Sequence, residues 1–146
     1  MYSQTDFEPL AEMPAAIWPS SAHRVDGVLT LGGSSVLDLV REHGTPALFL
    51  DENDLRERAR AYASADVEAY YAGKAFLCTT VARWIAEEGL GLDVCTGGEL
   101  AIALAANFPP ERISMHGNNK SVAELERAVD AGVGHIVVDS FDEIDR

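Results

Sequence analysis

Lys74 is the residue of this sequence whose setting most suggests chemistry. It follows the largely apolar run VEAYYA at 67–72, which is typical of a β-strand. A lysine in such a stretch must reach solvent, be paired or be functional. Two readings stay open: a strand-end lysine that extends into water, and an amine that attacks an aldehyde to form a Schiff base. Desolvation by Tyr70, Tyr71 and Phe76 would favour the neutral amine that the second reading needs.

Polar residues also follow the next three predicted strands. Lys74, Asp93, His116 and Asp139 stand at separations of 19, 23 and 23 residues. In parallel strands such positions meet at the carboxyl-terminal edge of the sheet, where active sites of α/β proteins lie. For Asp139 the simpler reading is a residue at the start of a helix.

Two carboxylates are candidates to lie beside Lys74. Asp93 and Glu99 could hold its ammonium group and tune its charge. Each also has a structural reading. Asp93 would be a turn residue, and Glu99 would close a capping box with Thr96 at the start of a helix.

The run His116-Gly117-Asn118-Asn119-Lys120 follows the third of these strands. A polar run with glycine before a helix is usually a loop, but here it also makes a plausible ligand wall. Neither a dinucleotide-binding glycine fingerprint nor a P-loop occurs in the sequence. Cys95 reads as a small buried apolar residue, and the sequence predicts no metal site and no Ser-His-Asp or Cys-His set.

The elements that must position these residues alternate between strand and helix from residue 46 onward. The predicted strands are 46–50, 67–72, 90–94, 113–116 and 135–139, and the predicted helices are 51–64, 79–88, 99–106, 121–131 and one beginning at 140. This repeat predicts an α/β fold with a parallel sheet, and its nearly even spacing favours a (β/α)8 TIM-type barrel. Three S/T-x-x-E capping boxes, at Thr96–Glu99, Ser121–Glu124 and Ser140–Glu143, would start helices at one rim of that sheet, where anions collect.

The N-terminal part has a different pattern. Residues 1–26 are predicted to form an extended arm, and residues 27–31 a short strand. Gly32-Gly33 would turn the chain into a helix that a Ser35–Asp38 capping pair begins. Gly44 with Thr45-Pro46 would end that helix.

Composition and charge narrow the class of protein. The 146 residues carry 24 Asp and Glu against 11 Lys and Arg, a net charge of −13, and 47% are hydrophobic. These values indicate a globular chain without the cationic surface that nucleic acids or anionic membranes require. Two cysteines make no disulfide framework, which fits a reducing compartment such as the cytoplasm. We predict neither a signal peptide nor a membrane span.

Three segments carry a resemblance to a known family. Residues 71–76 (YAGKAF), 92–100 (LDVCTGGEL) and 116–121 (HGNNKS) resemble the first half of the diaminopimelate decarboxylases. That family belongs to the alanine-racemase-like, pyridoxal-phosphate-dependent decarboxylases, also called group IV. The resemblance runs from about residue 27 to the end of the chain. The lysine segment is shared with ornithine and arginine decarboxylases, whereas the other two are more specific to the diaminopimelate branch.

The resemblance implies a cofactor, a reaction and roles for site residues. Lys74 would form the Schiff base with pyridoxal 5′-phosphate, and Ala72 would pack near that cofactor. Asp93 and Glu99 match family positions close to the lysine, while His116 and Asn118 would line the same rim. The substrate, a small amino acid, would be meso-2,6-diaminopimelate, with L-lysine and CO2 as products. The full-length enzyme would be a cytoplasmic homodimer.

The resemblance also implies how the chain is divided. Residues 1–45 would form an arm, a strand and a helix that contribute to a second, β-rich domain. Residues 46–146 would be the first half of a barrel that needs about 250 residues. We therefore expect the N-terminal portion of a longer enzyme, inactive by itself. Two alternatives stay open: a related decarboxylase for arginine, ornithine or carboxynorspermidine, and a non-catalytic barrel protein that binds pyridoxal phosphate.

Overall fold

Two β-sheets of different kinds organise the chain. The structure, a computed structural model, describes residues 17–146. Contacts between Cα atoms divide the chain into two units on either side of the Leu55–Arg56 bond, within helix α2 (Glu52–Ala63). The first unit carries an antiparallel sheet and the second a parallel one.

The antiparallel sheet is a three-stranded meander. Its strands are β1 (His23–Val25), β2 (Val28–Leu31) and β3 (Ser34–Ser35), in that order. The turns Asp26-Gly27 and Gly32-Gly33 both have positive φ, as two-residue hairpins require. The predicted strand at 27–31 is confirmed. The predicted extended arm is wrong at 23–25, which pair with β2, and its residues 1–16 lie outside the described part.

Helix α1 (Val36–His43) begins without the capping pair that we predicted. The Ser35 side chain makes no cap hydrogen bond. Its backbone is committed to the sheet, where it pairs with Thr30, and Asp38 instead bonds Arg41 at 2.6 Å. The predicted end is confirmed, since Gly44 takes a positive φ of 78° and donates its N–H to the Val40 carbonyl.

The predicted strand at 46–50 is wrong. These residues form no strand and pair with neither sheet of the described residues, and Leu48 is fully exposed. A strand forms only where a neighbour completes its ladder of hydrogen bonds, so an apolar run is insufficient by itself.

The second unit repeats strand and helix. The elements are β4 (Tyr70–Ala72), α3 (Thr79–Glu87), β5 (Gly91–Val94), α4 (Gly97–Ala105), β6 (Ile113–Met115), α5 (Val122–Ala131), β7 (His135–Ile136) and α6 (Phe141–Ile144). All neighbouring strands are parallel, in the order β4-β5-β6-β7. The predicted α/β repeat with a parallel sheet is confirmed, although β4 and β7 are shorter than predicted.

The two faces of the parallel sheet differ in chemistry. Leu92, Val94, Ile113 and Met115 are completely buried on the face that α3 covers at β5. The register places Ala72, Asp93, Ser114 and His135 in one row across the sheet on the opposite face. The apolar face holds the unit together, and the polar row is left for a site.

Candidate functional site

Lys74 lies just past the carboxyl end of β4, in a single 3-10 turn (Gly73–Ala75). A Cβ on Gly73 would stand 2.9 Å from the Asp93 carbonyl oxygen, so this glycine lets the turn lie against β5. The Lys74 side chain is exposed and makes no hydrogen bond or ion pair with residues 17–146. It is therefore an accessible amine.

The aromatic desolvation that we expected around Lys74 is not found. Phe76 is 52% exposed, and the hydroxyl of Tyr71 turns to the Phe76 carbonyl, to which it donates at 2.7 Å. The side chains of this short turn point toward solvent, and the sequence alone does not specify that direction. Any dry surrounding for Lys74 must come from other groups.

Asp93 faces the polar side of the sheet next to Ala72. Its Oδ1 atom is buried and has no hydrogen-bond partner among the described residues. The nearest cationic candidate is His116, whose Nε2 lies 3.5 Å from that oxygen. The Asp93 side chain is only 16% exposed, whereas that of His116 is 47% exposed. A buried carboxylate oxygen without a donor is costly, and a ligand N–H or O–H would satisfy it.

One cleft on the polar face brings several predicted site residues together. Its lining includes Tyr70, Ala72, Asp93, Ser114 and His116. Ser114, which the sequence reasoning missed, follows from the alternation of strand side chains, because it is the one polar residue of β6. The structure thus groups Ala72, Asp93 and His116, with Lys74 exposed just beyond β4.

Glu99 does not line this cleft, and its carboxylate accepts hydrogen bonds from backbone N–H groups. Its Oε2 accepts the N–H groups of Cys95 at 2.5 Å and Thr96 at 3.1 Å, and its own N–H donates to the Thr96 hydroxyl. The predicted capping box is confirmed. Of the two readings of Glu99, the structure supports the structural one.

The second capping box also reaches the neighbouring helix. Ser121 and Glu124 form the complete box at the start of α5. Glu124 Oε1 additionally accepts the N–H of Gly97, the first residue of α4, at 2.7 Å. These hydrogen bonds from Ser121 and Gly97 lower the pKa of Glu124. We expected the helix starts at this edge of the sheet to bind anions. At α4 the N–H of Gly97 already bonds the carboxylate of Glu124, so it is not available to a bound anion.

The third predicted box is only half formed. Glu143 N–H donates to the Ser140 hydroxyl at 3.3 Å, but the Glu143 carboxylate accepts from Asp139 rather than Ser140. That bond, followed by the one from Lys120, lowers the pKa of Glu143. The carboxylate thus bonds the residue before the cap and a lysine on another segment.

That lysine corrects the ligand-wall reading of residues 116–120. Lys120 is 1% exposed, and its Nζ lies 3.0 Å from Glu143 Oε1. His116 and Asn118 are exposed, whereas Lys120 is buried, so the run does not present all its side chains to solvent. Sequence reasoning missed the ion pair because its partners are 23 residues apart; the one available signal was a lysine directly before a helix cap.

Between residues 17 and 146, no three His, Cys, Asp or Glu side chains gather as metal ligands would. No helix in that same range has the length and apolar character that crossing a bilayer requires.

Comparison with known proteins identifies the class. The family described as "Pyridoxal-dependent decarboxylase, pyridoxal binding domain" matches residues 52–146. The chain therefore belongs to the pyridoxal-dependent decarboxylases.

Individual relatives narrow the comparison. The chain is 56% identical over 141 residues to diaminopimelate decarboxylase of Mycobacterium bovis, covering 94% of this chain and 32% of that protein. It is 55% identical to the enzyme of the same name from Mycobacterium leprae, covering 95% and 30%. A crystal structure of diaminopimelate decarboxylase from M. jannaschii superposes with a TM-score of 0.78 at 27% identity, covering 87% and 32%. The resemblance seen in the sequence motifs is confirmed, and the chain spans about a third of these relatives.

Proposed function

We propose that the whole protein carrying this chain decarboxylates meso-2,6-diaminopimelate to L-lysine and CO2, with pyridoxal 5′-phosphate as cofactor. The observation that carries the proposal is the 56% identity across 94% of the chain to a diaminopimelate decarboxylase. Because the chain spans about a third of that relative, the reaction is assigned to the whole protein.

The lysines of the chain fit a cofactor that carries an aldehyde. The sequence has two lysines. Lys120 is buried and paired with Glu143, whereas Lys74 is exposed and makes no bond to the described residues. A covalent attachment through an amine therefore favours Lys74. The unpartnered, buried Oδ1 of Asp93, on the strand next to β4, offers an acceptor for a bound ammonium or N–H group.

The reaction divides between the cofactor and the residues of this chain. When bound, pyridoxal phosphate supplies the electron sink that makes loss of CO2 possible. Lys74 would hold the cofactor through Nζ and yield its place to the substrate amine. Asp93 would then hold the released ammonium, because a carboxylate stabilises the charged form of a neighbouring amine. His116 can exchange a proton at Nε2, the atom that faces Asp93, and Ala72 leaves room beside them.

Among the described residues, several backbone N–H groups at the start of α4 that could bind the cofactor phosphate are already hydrogen-bonded. The N–H of Gly97 is already held by Glu124, and Glu99 holds the N–H groups before it. We propose that phosphate donors come from a part of the protein outside residues 17–146.

We further propose the larger architecture that the resemblance implies. The parallel sheet and its helices would belong to a (β/α)8 barrel spanning from residue 46, and residues 1–45 would contribute to a β-rich domain. The antiparallel meander supports the second assignment, because its three short strands form a sheet separate from the parallel one. A homodimer acting in the cytoplasm on a small amino acid completes the proposal.

Product analysis of the whole protein tests the substrate. The purified protein, loaded with pyridoxal phosphate, is given meso-diaminopimelate, arginine, ornithine and carboxynorspermidine in separate reactions. The proposal expects CO2 and L-lysine from diaminopimelate at a rate well above that of the other three. Preference for another substrate would assign the related decarboxylase, and bound cofactor without CO2 release would assign a non-catalytic carrier.

Trapping of the cofactor tests the role of Lys74. Borohydride reduction followed by peptide mass mapping should place the cofactor on the peptide that contains Lys74. The test variant is Lys74→Ala, and Lys120 is the one other lysine of the chain. Label on Lys120, or unchanged labelling of Lys74→Ala, would refute the assignment.

A further inference from the structure

The proposed reaction does not use the most deeply buried cation of the described residues. Lys120 is 1% exposed, and its Nζ has three partners. These are Glu143 Oε1 at 3.0 Å, the Val137 carbonyl at 2.7 Å and the Gly117 carbonyl at 2.5 Å. All three ammonium protons are satisfied, which a buried lysine requires.

The three partners lie on three different segments. Gly117 belongs to the loop after β6, Val137 follows β7, and Glu143 lies in the first turn of α6. Glu143 extends the link, since it also accepts the N–H of Asp139 at 3.0 Å. One ammonium thus joins two successive βα connections at the carboxyl end of the sheet.

The Gly117 carbonyl is the link that concerns the site. The preceding residue is His116, whose backbone N–H donates to the Val94 carbonyl at 2.8 Å and whose Nε2 faces Asp93. Gly117 has a φ of +108°, and a Cβ there would stand 2.9 Å from the Cys95 carbonyl oxygen. Gly117 is therefore confined by Cys95 on one side and by Lys120 on the other.

We propose that Lys120 is a positioning residue, whose buried ammonium fixes the Gly117 carbonyl and thereby holds His116 opposite Asp93. The inference rests on the proposed function, since it concerns the same site. Lys120 acts through backbone and touches neither cofactor nor substrate. Without its ammonium, the Gly117 and Val137 carbonyls lose a donor, and the loop is free to move His116 from Asp93.

Three variants of the whole protein separate positioning from general stability. Lys120→Met removes the ammonium and keeps most of the apolar stem. Adding Glu143→Gln removes the charge left unpaired, while an amide oxygen remains for the Asp139 N–H. The control is Arg112→Met, because Arg112 donates to the carbonyls of Ala86 and Leu90 before β5, at the opposite end of the sheet.

The measurements are the melting temperature, amide hydrogen exchange by segment, the dissociation constant of pyridoxal phosphate and kcat. We expect Lys120→Met to speed exchange in residues 116–121 and 137–143 and to weaken cofactor binding or kcat by about tenfold or more. The double variant should regain melting temperature but not binding or kcat, since the Gly117 carbonyl still lacks its donor. Arg112→Met should speed exchange around residues 86–92 and leave both site measurements within about twofold.

Two results would overturn the inference. One is full recovery of binding and kcat in the double variant, and the other is an equal loss in Arg112→Met at an equal melting temperature. A wild-type protein that binds no pyridoxal phosphate overturns the proposed function instead. In that case the hydrogen-exchange comparison still shows whether Lys120 holds the loop.

Discussion

Replacing Gly117 with alanine should lower the local stability of the loop after β6. Two separate energetic costs set the size of this loss. The first is conformational, because Gly117 has a φ of +108°, which L-residues rarely adopt. Such a backbone costs a residue with a Cβ about 1–3 kcal/mol. The second is steric, because the new Cβ would stand 2.9 Å from the Cys95 carbonyl oxygen, a backbone atom that cannot rotate away. Overpacking of this kind costs about 1–3 kcal/mol.

The two penalties together predict a loss of about 2–6 kcal/mol in the local stability of the loop after β6. Native-state hydrogen exchange measures this quantity at the amide of His116, which donates to Val94. Gly98→Ala is the matched control. Gly98 lies in α4 without a positive φ, and its Cβ would meet nothing closer than the Thr96 hydroxyl at 3.7 Å.

The control should stabilise its helix by about 0.5–1 kcal/mol, because alanine loses less backbone entropy than glycine. The reasoning is refuted if Gly117→Ala lowers the opening free energy by less than about 0.5 kcal/mol, the range of an ordinary surface substitution. It is also refuted if Gly98→Ala destabilises the protein as much as Gly117→Ala does.

Three further predictions concern the core and the helix caps. Leu92→Ala should cost about 2–5 kcal/mol of unfolding free energy in urea titration, since Leu92 is completely buried; a cost below about 1 kcal/mol would contradict this packing. Thr96→Ala should cost about 0.5–2 kcal/mol, because it removes the acceptor for the Glu99 N–H, and Thr96→Ser should keep most of the stability. Glu124→Gln tests pH dependence. The folded pKa of Glu124 lies below its ordinary value, so its contribution is present above the unfolded pKa and is lost as the pH falls through the folded pKa. Between about pH 6 and about pH 3, wild type should therefore lose more stability than Glu124→Gln, and equal losses would contradict the role of these hydrogen bonds.

Local patterns predicted much of the second unit because they depend on neighbours in the sequence. The boxes at Thr96 and Ser121 join residues three apart on one helix turn, so spacing alone specifies them. The Ser/Thr-x-x-Glu/Asp spacing was a less reliable guide where contacts with residues distant in the sequence compete with the helix cap. Glu143 bonds Asp139 and Lys120 in place of its own cap, and Ser35 is held by strand pairing.

The candidate site shows the same division. Residue type and position at a strand end identified Asp93 and His116, and the family resemblance implied Ala72. The structure brings all three to one cleft. The environment of a residue was harder to predict from the sequence than its place at the end of a strand. The exposure of Lys74 depends on the direction of a short turn, and the missing strand at 46–50 depends on a partner that the run itself does not contain.

The sequence by itself determined the alternation of strand and helix, the polar residues that end each strand, and the family, because these are written in local spacing and motifs. Only the tertiary structure decided which of two lysines is free. Lys74 and Lys120 each follow a strand within a motif of the family, yet one is exposed and the other is buried against Glu143. The difference arises because burial and ion pairing depend on contacts between distant segments, which the sequence specifies only through the fold.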